Sequence, residues 1–199
     1  MSAFDNARGV EAEGNMILLP YLREKSDGGL VLTSKGTLAR WLQESVGDVL
    51  LNRREQLFAV ELKCERKYTG NLFLETWSNR NLEDGRSHAE RGQNTGWMYK
   101  LRADLLLYYF IDTDQLFSIK VLALKRWFFG RGGELGAYRR PSADGKTPMF
   151  REVKQEARDQ ANDTRGVLVP IAVLRSEIPN AIRETRVRQR AFVEEAEIV

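Results

Sequence analysis

The chain has 199 residues, and its composition already excludes several classes of protein. Hydrophobic residues make up 42% and charged residues 30% of the chain, so a domain of this length can build a core without disulfides or a structural metal. Cys64 is the single cysteine and His88 the single histidine, which excludes a disulfide framework and metal sites that need two imidazoles. Any metal site must therefore use carboxylate and carbonyl oxygens, which suit Mg²⁺, Mn²⁺ or Ca²⁺.

The charge of the chain is mildly basic, with a net charge of +3 at pH 7 and a pI of about 9.0. Such an excess is compatible with a phosphate-rich partner, although most basic residues alternate with acids, as on an ordinary solvated surface. The apolar run at 16–19 is too short for a signal peptide or a membrane span. We therefore expect a cytoplasmic protein with no membrane partner.

The spacing of apolar residues predicts a mixed α/β fold in one domain covering residues 1–199. Two short apolar runs, at 16–22 and 30–32, come first. Helical spacing then predicts a helix over 34–45. Short helical segments are predicted near 98–101 and 125–129, and a charged helix is predicted at 182–196. The predicted strands lie at 47–52, 57–64, 71–77, 105–111, 116–122 and 167–174.

A polar connector at 53–56 separates two of these strands and predicts a hairpin between 47–52 and 57–64. Counting back from a four-residue loop places Asp48 opposite Glu61. Residues that face each other across two antiparallel strands lie on one side of the sheet, with Cβ atoms about 4.5–5.5 Å apart. The sequence therefore predicts that these two carboxylates lie close together.

Strand alternation adds an amine to this pair, because Lys63 shares a face with Glu61 while Leu62 and Cys64 face the apolar interior. Two adjacent carboxylates repel each other unless a cation offsets their charge. One interpretation is a Mg²⁺-type ion held by Asp48, Glu61 and a backbone carbonyl. The other is a salt-bridge triad in which Lys63 joins the two acids.

Asp48 and, after twelve intervening residues, Glu61-Leu62-Lys63 at the end of an apolar run resemble the signature of the PD-(D/E)XK nuclease superfamily. Downstream segments at 69–75, 96–97 and 102–106 resemble the phage- and plasmid-type branch of that superfamily. The resemblance implies a restriction-endonuclease-like αβββαβ core, with a central mixed β-sheet flanked by helices, over about residues 34–174.

The same resemblance implies an enzyme: a Mg²⁺- or Mn²⁺-dependent deoxyribonuclease, most simply an endonuclease, that hydrolyses DNA phosphodiester bonds by metal-activated water. Asp48, Glu61 and the carbonyl of Leu62 hold the metal in this interpretation, and Lys63 orients or deprotonates the water or neutralises the phosphate. A phage-encoded protein of this kind acts in the host cytoplasm. The alternatives are an inactive nucleic-acid-binding or interaction module of the same fold, and a regulatory protein with only the salt-bridge triad.

Two further acids are candidates for the catalytic site. Glu75, on the predicted strand 71–77, could supply a third carboxylate or simply be a surface acid of an edge strand. Glu44, at the end of the helix predicted over 34–45, could reach the same cleft or be exposed. The C-terminal helix over 182–196 has a thin apolar face that is compatible with a homodimer.

Basic residues that follow the catalytic strand or lie in long connections are candidates for contacts to DNA phosphates. They belong to the mouth of the predicted cleft, to the segment near 100, and to the Gly- and Arg-rich connection after 124. These residues are Arg66, Lys67, Lys100, Arg126, Arg131, Arg139 and Arg140.

Overall fold

The computed structural model describes residues 3–27, 29–32, 46–78, 95–130, 152–154 and 164–188. Several predicted features lie outside these residues. They are the helix over 34–45 with Glu44, the last part of the C-terminal helix, and the basic residues Arg131, Arg139 and Arg140.

The described chain contains both helices and strands, which confirms the predicted mixed α/β content. A 3₁₀ turn at Pro179–Ala181 precedes the last strand. In chain order the elements are α1 (Ala3–Glu24), β1 (Leu30–Leu32), β2 (Val49–Arg53), β3 (Gln56–Glu65), β4 (Asn71–Trp77), α2 (Trp97–Lys100), β5 (Leu105–Phe110), β6 (Gln115–Lys120), α3 (Val121–Gly130), β7 (Glu152–Lys154), β8 (Arg165–Pro170), α4 (Ile171–Glu177) and β9 (Ile182–Arg186).

The chain divides into two compact units, each assembled from segments that are distant in sequence. The six-stranded unit contains residues 7–69, 102–122 and 180–199, and the three-stranded unit contains 1–6, 70–101 and 123–179. That residues 1–199 act as one domain stays a prediction.

The six-stranded unit is built around a mixed sheet with the strand order β1-β2-β3-β5-β6-β9. The central pair β3 and β5 is parallel, and the other neighbours are antiparallel. A parallel pair needs a crossover connection, which here runs through residues 66–104. The predicted central mixed sheet is therefore confirmed.

Helix α1 covers one face of this sheet. Its Leu18 and Leu22 are 0% and 3% exposed and pack in one cluster with Val60, Leu62 and Tyr109. Every second residue of β2, β3 and β5 enters this cluster, as strand alternation requires. The intervening residues of β3, including Glu61 and Lys63, therefore lie on the opposite face.

The three-stranded unit has the strand order β4-β8-β7, and all its pairs are antiparallel. Leu72 and Leu74 of β4 are fully buried, as are Met98 of α2 and Leu174 of α4. The ammonium of Lys125 in α3 donates to the carbonyl of Leu101 at 2.9 Å and so closes the end of α2.

Three segments differ from the sequence prediction. The predicted strand 116–122 ends at Lys120, where α3 begins. The predicted strand 167–174 ends at Pro170, since proline has no N–H to continue a ladder, and α4 follows. Residues 182–186 form strand β9, because pairing with the edge of β6 outweighs their helical spacing.

The hairpin of β2 and β3 has the predicted register but a shorter loop. Asn52 faces Leu57, as counting from the loop predicted, and Arg53 also faces Gln56. The predicted four-residue loop is therefore wrong, and two residues, Arg54 and Glu55, form the turn. Their φ angles are 50° and 62°, the left-handed conformation that a type I′ hairpin turn requires.

Residues that tolerate positive φ at positions 54 and 55 should stabilise the folded protein. The double substitution Arg54→Asn/Glu55→Gly is expected to raise the free energy of unfolding by about 1–2 kcal/mol, since each L-residue with a side chain loses energy in this conformation. The N–H of residue 54, which donates to Asp27 Oδ2, is kept. Urea denaturation measures the change. Arg53→Asn, one position earlier and within β2, should not stabilise, and equal effects of the two variants would contradict the assignment.

Candidate functional site

The position of Asp48 is set by a turn that enters β2. Gly47 has φ +127°, a conformation that side chains disfavour. The N–H of Asp48 donates to the carbonyl of Val60 at 2.9 Å, and Asp48 Oδ2 accepts a hydrogen bond from the N–H of Leu62 at 2.9 Å. Asp48 is therefore bound on both sides of Glu61, through its backbone to the preceding residue and through its carboxylate to the following one.

Glu61 and Lys63 form an ion pair on the face of β3 that α1 does not cover. Lys63 Nζ lies 2.6 Å from Glu61 Oε1, and the two side chains are 30% and 16% exposed, respectively. The pair is thus mostly enclosed but keeps access to solvent. The prediction that Leu62 faces an apolar interior is confirmed, since it is 8% exposed within the core cluster.

The charges of these groups act on each other. Burial raises the pKa of Glu61 above its ordinary value, and the negative charges of Asp48 and Glu11 act in the same direction. Lys63 opposes them and lowers the pKa through its charge and its hydrogen bond. The charges of Asp48 and Lys63 therefore both act on Glu61, and these three groups form one electrostatic cluster.

Glu11 is a member of this neighbourhood that the sequence analysis missed. It lies on α1 and raises the pKa of both Glu61 and Cys64. The local sequence contains one relevant signal: Gly14, three residues later, lies so close to β3 that an added Cβ would be 2.2 Å from Cys64 Sγ. A glycine at such a position allows a helix to approach a strand closely. Sequence spacing could not show which strand that would be.

The carbonyl of Leu62 is directed to the same side of β3 as Asp48. In an antiparallel ladder the N–H and C=O of one residue point to the same neighbouring strand. The N–H of Leu62 is bound by Asp48 Oδ2, so the carbonyl of Leu62 also points toward this side, two residues beyond Val60, the partner of the first β2 residue, Val49. The carboxylate of Asp48 and the carbonyl of Leu62 therefore lie toward the same edge of β3, and the side chain of Glu61 lies on the face that α1 does not cover.

Cys64 faces the interior, as predicted. Burial is the main cause that raises the pKa of its thiol to about 12, with the charge of Glu11 acting in the same direction. A thiol with this pKa is protonated at neutral pH and is a poor nucleophile.

Glu65 continues the polar row of β3 beyond Lys63. The hydroxyl of Tyr108, on the neighbouring strand β5, donates a hydrogen bond to Glu65 Oε1. Burial raises the pKa of Glu65 above its ordinary value, and the hydrogen bond from Tyr108 lowers it in part. The folded protein thus holds this carboxylate at a cost whenever it is ionised.

This cost makes stability depend on pH. A raised pKa means that the folded state binds the proton of Glu65 more tightly than the unfolded state, so stability falls as pH rises from the ordinary glutamate pKa through the raised one. Glu65→Gln removes this charge and should raise the thermal midpoint relative to wild type more at pH 8 than at pH 4. Glu55→Gln, in the exposed turn, is the control. A difference that is the same at both pH values would contradict the expected sign.

Glu75 lies on β4 in the three-stranded unit and not in the sheet that carries Asp48 and Glu61. Its Oε1 accepts a hydrogen bond from the hydroxyl of Ser78 at 2.7 Å. Its alternation with Phe73 and Trp77 on one side of β4 agrees with the prediction. A role for Glu75 beside the other two carboxylates stays a prediction.

The basic residues predicted to bind phosphate fall into three groups. Arg66 and Lys67 are exposed at the end of β3, and Arg66 Nη2 forms an ion pair with Glu13 Oε2 of α1 at 2.6 Å. Lys100 and Arg126 are exposed on α2 and α3 in the three-stranded unit. The remaining three lie outside the described residues.

Within the part of the chain that the structure describes, no three His, Cys, Asp or Glu side chains are arranged to hold a metal ion. A metal at this site would therefore rely on two carboxylates and the Leu62 carbonyl, as the sequence predicted. In the same described ranges, no helix is long and apolar enough to cross a membrane. No family model, curated protein or solved structure matches the chain.

Proposed function

We propose that the protein is a Mg²⁺- or Mn²⁺-dependent endonuclease that hydrolyses phosphodiester bonds in DNA. The observation that carries the proposal is the cluster of Asp48, Glu61 and Lys63 at the start of the β2–β3 hairpin, with Asp48 bound to the N–H of Leu62. This cluster is what the PD-(D/E)XK signature requires of these residues. A restriction-endonuclease-like core is part of the proposal.

The order of the elements supports the proposed core. In the described chain the order is helix α1, strands β1, β2, β3 and β4, helix α2 and strand β5, which contains αβββαβ when β4 is left out. Four of these strands are consecutive in the six-stranded sheet, and β4 is an addition that pairs in the other sheet. In this proposal α1 is the first helix of the core, and the helix predicted over 34–45 lies outside the described residues.

The donor atoms of the site fit a hard divalent cation. Asp48, Glu61 and the Leu62 carbonyl offer only oxygen. Burial is the main cause that raises the pKa of Glu61, and the negative charge of Asp48 acts in the same direction, as expected for two carboxylates that repel each other. When bound, the ion supplies a water of lowered pKa and offsets negative charge on the phosphodiester. The N–H of Leu62 orients Asp48 for this role, so the carboxylate does not have to be ordered by the ion itself.

Lys63 supplies the remaining chemistry. Its ammonium is held beside Glu61 and is 30% exposed, so it can reach a substrate phosphate. There the ammonium orients the attacking water or neutralises charge on the phosphate, and only a lysine that has first given up its proton could accept the proton of the water as a neutral amine. Arg66 and Lys67 lie further along the chain at the end of β3 and would contact neighbouring phosphates.

The test is cleavage of supercoiled plasmid DNA by purified protein with Mg²⁺, Mn²⁺ or EDTA. Wild type should nick or linearise the plasmid only with metal, and Asp48→Asn should remove at least about 10²-fold of the rate. Asp112→Asn, an exposed aspartate in the turn between β5 and β6, is the matched control and should cleave like wild type.

A second measurement addresses the metal directly. An ion that binds only the folded state raises the thermal midpoint, so Mn²⁺ should stabilise wild type and the Asp112→Asn control but not Asp48→Asn. Wild-type protein that binds DNA in a salt-dependent way, without metal-dependent cleavage or stabilisation, would overturn the proposal in favour of an inactive binding module.

A further inference from the structure

Lys63 lies between two glutamates on the same face of β3. Glu61 and Glu65 are each two residues away, which in a strand is about 7 Å along the chain. A lysine side chain can reach either carboxylate over this distance. In the structure Lys63 Nζ forms its ion pair with Glu61 Oε1, at 2.6 Å. Glu65, at the same distance along the strand, is the alternative partner.

The other glutamate is held by a residue of the neighbouring strand. Tyr108 of β5 is the direct register partner of Lys63, is 2% exposed, and donates its hydroxyl hydrogen to Glu65 Oε1. The charge and the hydrogen bond of Lys63 lower the pKa of Glu61, whereas the hydrogen bond from Tyr108 lowers the pKa of Glu65. Each carboxylate thus has its own donor.

We propose that Tyr108 is a positioning residue that binds the carboxylate of Glu65 and thereby leaves Lys63 to Glu61 and the reacting phosphate. This inference rests on the proposed nuclease function and deepens it. Tyr108 acts through Glu65 and Lys63, and does not itself contact substrate. Without the hydroxyl, the half-buried carboxylate of Glu65 would lose the donor that the structure gives it and would draw the nearest ammonium toward itself.

The proposal predicts a loss of activity that a second substitution repairs. At pH 8, Tyr108→Phe is expected to lower the rate of plasmid cleavage roughly tenfold or more, because a hydrogen bond to a charged group shifts such an equilibrium by at least this factor. Tyr108→Phe/Glu65→Gln removes the competing charge and should restore the rate to within about threefold of wild type.

The matched control is Tyr109→Phe, one residue further along β5. Tyr109 is also buried and also donates its hydroxyl to a carboxylate, Asp114 Oδ1, at 2.8 Å, but it faces the α1 side of the sheet. Its substitution removes a comparable hydrogen bond and should leave the cleavage rate unchanged. An equal loss of activity in both phenylalanine variants, or no restoration in the double variant, would overturn the proposal.

A structural measurement separates this inference from the proposed function. In a crystal structure of Tyr108→Phe at pH 8, Lys63 Nζ should lie within about 4 Å of a Glu65 oxygen, the limit for an ion pair. In Tyr108→Phe/Glu65→Gln it should remain on Glu61. If wild type fails to cleave DNA, the proposed function fails, and these structures still test the role of Tyr108. Lys63 unmoved in Tyr108→Phe would refute that role even in an active nuclease.

Discussion

Replacing Lys63 with alanine is expected to lower the rate of DNA cleavage by about 10²- to 10⁴-fold, the range that positioned acid–base groups contribute. The Lys63 ammonium lies 2.6 Å from Glu61 Oε1 and retains access to solvent. Among the groups that shift the pKa of Glu61, Lys63 is the cation, so the substitution removes the positive charge of the cluster. Plasmid nicking at saturating Mg²⁺ measures the rate. Lys120→Ala, an exposed lysine at the end of β6, is the control and should cleave like wild type.

The loss must be separated from a loss of folding. Lys63→Ala leaves the mostly enclosed carboxylate of Glu61 beside Asp48 without its partner, which costs on the order of 1–3 kcal/mol of stability. The double variant Lys63→Ala/Glu61→Gln removes that unpaired charge, so its stability should return toward wild type while its activity stays lost. Wild-type cleavage by Lys63→Ala would remove the basis of the enzymatic proposal.

Gly47→Ala is expected to destabilise the protein by about 2–5 kcal/mol, the sum of backbone strain and overpacking. The position has φ +127°, and an added Cβ would lie 2.9 Å from the carbonyl oxygen of Val60. That oxygen belongs to the backbone of β3 and accepts the N–H of Asp48, so it cannot move aside without disturbing the site. Urea denaturation measures the loss of stability, and cleavage should fall with it.

The control for this variant is Gly70→Ala. Gly70 also has a positive φ, +77°, but no atom lies within 4 Å of an added Cβ. Only backbone strain remains, which is worth about 1–2 kcal/mol. If both glycine variants lost the same stability, the close contact between residue 47 and β3 would not be a determinant of the hairpin.

The sequence by itself determined the face and the register of the β2–β3 hairpin. Alternation along β3 separates Glu61 and Lys63 from Leu62, since one face is apolar and a shift of one residue would bury the charges. The register with β2 follows from this pattern and from the short connector. The loop length was wrong by two residues because Arg54-Glu55 carries none of the glycine or asparagine signals of a tight turn.

Only the tertiary structure decided which distant segments join the hairpin. The parallel pairing of β3 with β5, the strand at 182–186, and the assignment of Glu75 to another sheet all depend on contacts across many residues. Such pairings are selected by the burial of complementary faces and by the entropy of closing long loops. Neither quantity is contained in local spacing, which is why Tyr108 beside Glu65 became visible only in the folded chain.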